Sequence, residues 1–435
     1  MSSKSAKENK AKEGESYWAI VGKQFRKNRT AVWSLRILAI IFVLGMTADF
    51  IANEKPYYCV INGKTYFPVF KGVGVDMGIA SWPPELSNVT WNELNYEKVV
   101  WAPVPYGPTT LDLKNKDYAD PFGEQNVPSA RWKHRLGTDN LGRDVLAGMV
   151  HGARIAMLVG VISMSIALVI GVFFGALAGY FGDNRMKVSR ARIILNLLFV
   201  FYAVFYAFSV RSFAITDALS VSFFGFLWQL IVALLIFSAV MIIPNLLAIP
   251  FKKLPWLGTQ VEVPVDILVS RFIEVLESIP TFLLIMSIVA IVEKPSIFIV
   301  MAIIGFTGWT GIARYIRAEL LKVRNLEYIE AAQALGFPEW RIILRHAIPN
   351  ALTPVLISVS FGVASAILTE SSLSFLGIGV PPEQVTWGSM LSLARGYPQA
   401  WWIAIFPGFA IFVTVTIFNL IGDGLTEAMD PRLKQ

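Results

Sequence analysis

Long apolar runs alternate with short polar stretches along most of this chain. Runs at 33–52, 153–181, 193–210, 223–249, 272–292, 297–316, 351–371 and 402–422 each approach the roughly 20 residues that a helix needs to cross a bilayer core. The pattern predicts an all-α polytopic membrane protein with about eight transmembrane helices. The phenylalanine-rich pair at 193–210 and 223–249 also reads as one re-entrant pair, which leaves the sidedness of everything downstream unchanged. Between 53 and 152 the alternation stops, and Trp82, Trp91, Trp101 and Trp132 lie among prolines and glycines. That composition predicts a small folded segment or cap on the outer face.

Composition strengthens the membrane reading. The chain is 55% hydrophobic and 16% charged, whereas soluble domains carry about 25% charged residues. The net charge of +7 could suggest nucleic acid, but its placement excludes that partner. The tails 1–32 and 423–435 and the loops 183–192, 250–271 and 314–350 hold 23 of the 38 basic residues, while the short opposite loops hold Arg211, Lys294 and Arg395. Basic residues gather on the cytoplasmic side, so both termini and those loops are expected there, and 53–152 outside. The start reads as a cytoplasmic tail and not as a cleaved signal peptide. Cys59, the single cysteine, reads as a lone thiol in a polar loop.

Catalytic and metal chemistry find no support. No two of His134, His151 and His346 share a span, and no paired Cys/His spacing or HExxH occurs, so no metal or haem site is expected. Gly63-Lys64-Thr65 imitates a phosphate loop, but the required first glycine is replaced by Tyr58. No catalytic residue and no cofactor are expected. Gly171, Gly175 and Gly179, at i, i+4 and i+8, clear one helix face for close packing. Arg36, Arg154, Glu274, Glu277 and Glu370 fall near predicted span ends, where anchoring is the preferred reading. Glu274, Glu277 and Glu370 are kept as candidates for the pathway or its gate. Segment 137–154 is expected to lie as an amphipathic helix on the outer face, with Leu141, Val145 and Met149 on one side and Asp139, Gly142, Arg143, Asp144 and Arg154 as its polar marks.

The polar stretch before the seventh run is unusual. "RYIRAELLKVRNLEYIEAAQAL" at 314–335 is a good helix former. Gly336 then supplies a stop, with positive φ expected, and Pro338 suits the first turn of a second short helix. Glu319, Glu327, Glu330 and Glu339 are mixed with the basic residues, which suits docking to a protein better than resting on anionic lipid.

At these residues the chain resembles a known family. Glu330, Ala331, Ala332, Gly336, Phe337, Ile348 and Pro349 are similar to the EAA loop of permease subunits of binding-protein-dependent ABC importers. "GTDNLGRDVLAGMVHGAR" at 137–154, "GALAGYFG" at 175–182, "SSLSFLGIGVPPEQVTWG" at 371–388 and "IGDGLTEAMDPRLK" at 421–434 resemble its oligopeptide/dipeptide branch, C-type subunit. The resemblance implies a type I importer-like helix bundle in the cell's inner membrane. It also implies a second related permease, two cytoplasmic ATPases docked on the loop, and an extracytoplasmic substrate-binding protein. Peptide transport would be driven by ATP hydrolysis in the partners, so this chain would not be an enzyme. Three features depart from the family: an insertion at about 184–263 holding the additional pair of spans, a longer outer loop at 53–136, and Glu274 and Glu277 where aspartate and an apolar residue are commoner. The expected division is a tail (1–32), a first span (33–52), the outer loop (53–152), a second span (153–183), the inserted pair (184–263), a core (264–422) with the coupling loop 314–350, and the C-terminus (423–435). The alternative is an ion- or proton-coupled secondary transporter, which would require broken helices and mid-span charges; the sequence gives no sign of either.

Overall fold

A computed structural model describes residues 17–76, 80–87, 89–221, 223–251, 253–292, 296–378, 381 and 384–429. The first sixteen residues of the tail, Lys294, and the family-like residues Gly379, Val380, Pro382, Glu383 and those at 430–434 lie outside this set. Among the described residues, seven helices are long and apolar enough to cross a membrane, or eight if a bent pair counts as one span. The chain divides into two compact units, residues 1–161 with 360–435, and residues 162–359. The division falls inside two long helices.

In the first unit, α1 (Arg29–Met46) starts at Asn28, whose side chain accepts from the Ala31 amide at 2.9 Å. Such a cap satisfies an otherwise orphaned donor. Helix α2 (Val145–Ala176) approaches α1 so closely that a Cβ on Gly45 would lie 2.8 Å from the Arg154 amide nitrogen. The polar segment between them carries an antiparallel sheet in the order β2-β1-β3, from β1 (Tyr58–Ile61), β2 (Lys64–Tyr66) and β3 (Lys98–Val100). Asn62 and Gly63, both at positive φ, make the tight hairpin between β1 and β2. Cys59, Leu86, Trp91 and Trp101 form the sheet's core, with Trp82 and Trp132 packed against it. Cys59 is therefore a buried strand residue rather than a loop thiol, because the inward face of β1 falls on it.

The expected amphipathic helix over 137–154 is also different. Residues before Val145 form a folded loop, since Gly137 and Gly142 adopt φ of +77° and +82°, which a right-handed helix cannot contain. From Val145 onward the segment is the start of α2 itself.

In the second unit, α2 continues through a wide turn at Leu177–Phe181 beside α7 (Ile297–Val323). The two run parallel. Ser163 donates to the Met301 carbonyl at 2.9 Å, and Cβ atoms added to Gly171, Gly175 and Gly179 would meet Ile312, Ala313 and Arg317 at 2.5–2.7 Å. The three glycines thus admit a second backbone. Strands β4 (Lys187–Ser189) and β5 (Gln260–Glu262) pair at the base of α3 (Arg190–Val204) and α4 (Phe223–Phe251). Those two helices present large apolar side chains outward, such as Leu197, Phe201 and Trp228. The stretch expected as one span at 272–292 is instead α5 (Val265–Glu277) and α6 (Thr281–Ile291), bent by 75°. Pro280 lacks the amide hydrogen that would carry the helix ladder through the break.

Candidate coupling elbow and polar sites

Helix α7 extends to Val323, seven residues beyond its expected end, so Arg314 and Arg317 belong to it rather than to a loop. After a turn, α8 (Glu327–Ala334) carries Glu330, Ala331 and Ala332. Gly336 has φ +76°. Its amide donates to the Gln333 carbonyl at 2.9 Å, and the Phe337 amide reaches back to Ala332 at 3.2 Å. This pair of bonds is the Schellman closure, which favours glycine at its left-handed residue. Pro338 (φ −66°, ψ 141°) is the cap of the next helical stretch rather than a member of its first turn. A wide turn at Ile343–Ala347 then leads into Ile348 and Pro349, and such a turn relieves the clash of a proline with the carbonyls before it.

Buried residues fix this elbow to the bundle. Ile329, Ala332, Ile342 and Ala347 face inward. Tyr180, fully buried in the wide turn of α2, donates its hydroxyl to the Glu339 carboxylate and accepts from Gln333 Nε2 at 3.1 Å. Arg324 reaches the Gly179 carbonyl at 3.4 Å. Outward, Glu330, Ala331, Gly336 and Phe337 are exposed together with Tyr328, Leu335 and Trp340. Among the described residues, nothing covers this half-apolar face of the elbow.

The residues of 137–144 hold a lock instead of a helix. Asp139 accepts from the amides of Leu141 and Arg143, at 2.8 and 2.9 Å, and pairs with the Arg143 side chain. Asp144 accepts from the Ala147 amide at the start of α2 at 2.7 Å and binds His134 Nδ1 at 2.8 Å. His134 Nε2 meets Asp112 at 3.2 Å, and its ring stacks on Tyr106. Burial alone would lower the His134 pKa, but the hydrogen bond and charge of Asp144, then of Asp112, raise it above the usual value. Burial pushes the Asp112 carboxyl up, yet its bonds from Asn115, His134 and the Lys114 amide together bring it below the usual range. Arg154 pairs with Asp49 at 2.6 Å and with the Gly45 carbonyl. No spacing in the sequence marks Asp112 and His134; the loop must fold before they meet Asp144.

The three candidate pathway carboxylates have different environments. Glu370, in α9 (Thr353–Phe375), is 2% exposed and accepts from the Ser374 hydroxyl at 2.6 Å. Glu274 pairs with Arg271 at 2.6 Å on an exposed face of α5. Glu277 pairs with Arg314 of α7. Below them Asp266 holds Arg317, with Nη2 2.8 Å from Oδ2. The bent pair α5–α6 departs from the unbroken span that the sequence suggests, and the charges near its bend do not by themselves separate a carrier from a permease.

Relatives decide that question. The family model for the binding-protein-dependent transport system inner membrane component matches residues 256–435. The model for the N-terminal transmembrane domain of oligopeptide transport permease C matches 16–68. The inner membrane ABC transporter permease protein YejE of Escherichia coli (strain K12) is 30% identical over 96% of this chain and 96% of its own length. The chain belongs to the oligopeptide/dipeptide branch of the ABC importer permeases. Other similar members are the peptidoglycan transport system permease protein YejE of Agrobacterium fabrum (strain C58), 27% identical over 94% of this chain and 91% of that one, and the dipeptide transport system permease protein DppC of Bacillus subtilis (strain 168), 28% identical over 72% of each. Like them, this permease is a multi-pass inner-membrane transport component and not an enzyme.

Proposed function

We propose that this permease forms half of a peptide translocation pathway and receives its driving motion through the elbow at 324–351. The other half would come from a second, related permease. Two cytoplasmic ATPases would seat on the exposed faces of α8 and the following turn, and an extracytoplasmic binding protein would deliver substrate from the opposite side. Both termini would then be cytoplasmic. The observation that carries this reading is the elbow's two-sidedness: Tyr180, Gln333 and Glu339 bind it to the bundle, while Glu330, Phe337 and Trp340 stand uncovered. A rigid part fixed on one side and uncovered on the other transmits a partner's movement as rigid-body motion. The relatives' dipeptide and peptidoglycan cargoes support peptides, free or wall-derived, as the substrate class.

Cys59 is the only cysteine and is buried, so a single introduced thiol reports cleanly. An Ala331→Cys variant, treated with a short bifunctional thiol reagent in membranes holding the whole complex, should cross-link to an ATPase subunit. Labelling of that thiol by an impermeant reagent from outside intact cells would overturn the orientation and with it the coupling role.

A further inference from the structure

The break between α5 and α6 opens onto a cavity of 670 Å³ lined by Glu277, Pro280, Thr281, Phe306, Thr307 and Thr310, among others. All of these residues belong to the second unit. Helix α7 has 27 residues, or about 40 Å at 1.5 Å each, against a hydrocarbon core of about 30 Å. Arg314 stands nine residues from Val323, roughly 13 Å from that end. Glu277 closes a helix of 13 residues and meets Arg314 there.

Two features of this break suit a wet or protein-covered surface. The Glu277 and Arg314 side chains are 38% and 54% exposed, and half-open charges beside a membrane helix face water or protein. Ser278, Ile279 and Pro280 are exposed as well, and interrupted backbone is tolerated only where it lines a wet cavity or is covered by protein. One turn before the break, Arg271 and Glu274 continue the charged row along α5. The row leads to the cavity, and threonine hydroxyls and an aromatic ring wait inside it.

We propose that this cavity is a substrate-contacting stretch of the pathway, where Glu277 and Arg314 exchange their mutual contact for the two charged ends of a zwitterionic peptide. The carboxylate takes the peptide's ammonium and the guanidinium takes its carboxylate, while Thr281 and Thr310 serve its amide groups. The pair is neutral overall, so a lone inorganic ion gains little from opening it, whereas a short peptide with both ends charged replaces each lost contact. The volume lies within the range of small-ligand sites, roughly 300–1,000 Å³. This assignment rests on the peptide-permease reading given above.

The test uses the complete transporter in proteoliposomes, with a radiolabelled tripeptide and its N-acetylated form. Glu277→Gln should lower uptake of the free-amino peptide about tenfold or more, the loss expected for one charge-assisted hydrogen bond, with little effect on the N-acetylated form. Glu277→Asp should keep the preference. An unchanged ratio between the two peptides in Glu277→Gln, or equal loss of both, overturns the assignment and leaves the pair as a contact to the partner permease. Failure of the unmodified transporter to take up either peptide would instead overturn the peptide reading itself.

Discussion

Replacing Gly336 by valine isolates the elbow's shape from its contacts. A Cβ placed on Gly336 would meet nothing within 4 Å, so no steric clash accompanies the change. What remains is the backbone conformation, φ +76°, which costs a β-branched residue about 1–3 kcal/mol. The chain can escape that cost only by leaving the left-handed region. Leaving it breaks the Gly336 and Phe337 bonds back to Gln333 and Ala332 and swings the helix after Pro338 away from Tyr180. A penalty of about 2 kcal/mol shifts the population of the native elbow roughly thirtyfold. In proteoliposomes holding the full transporter, Gly336→Val should lower peptide uptake per ATP hydrolysed by about tenfold or more, at normal protein levels. Gly336→Asn should lose far less, because asparagine tolerates positive φ. Equal behaviour of the two variants, or normal uptake by the valine variant, would refute the assignment.

Other perturbations separate the remaining elements. Gly175→Leu drives a side chain into the Ala313 carbonyl and Ile316 and should destabilise the α2–α7 pair by about 1–3 kcal/mol, read as a lower melting temperature in detergent. Tyr180→Phe keeps the ring and removes the bonds to Glu339 and Gln333; it should cost about 1 kcal/mol and reduce import more than folding. The His134 pKa is raised, so its contribution is complete below the ordinary value of about 6.5 and is lost as pH rises through the higher folded value. Asp112, lowered, contributes above the ordinary carboxylate range and loses that contribution as pH falls through its folded value. Protection from amide exchange across 112–147, relative to the intrinsic rate at each pH, should therefore be greatest between the carboxylate and histidine transitions. Asp144→Asn should weaken the alkaline limb, with Asp112 still facing His134, at a cost of about 3 kcal/mol.

The pattern of apolar runs located the seven long helices among the described residues, because a bilayer imposes one length on every crossing helix. The glycine ladder of α2 and the stop at Gly336 were equally legible, since each acts through its own backbone. Residues 137–144 were misread because two glycines in a polar stretch do not reveal their φ. The bend at Pro280 is not visible in the hydropathy of 272–292, because a mean over a run carries no direction. Cys59 was placed wrongly for a related reason: burial in the small sheet depends on tryptophans from far along the chain.

By itself, the sequence determined the solvent this chain occupies and where its elbow turns, both of which follow from local composition and spacing. Only the tertiary structure decided which charges meet. Asp112 with His134 and Asp144, Tyr180 with Glu339, and Glu277 with Arg314 are separated by 10 to 159 positions. Electrostatic pairing depends on distance in space, and that distance is set by how the helices pack and where one of them breaks.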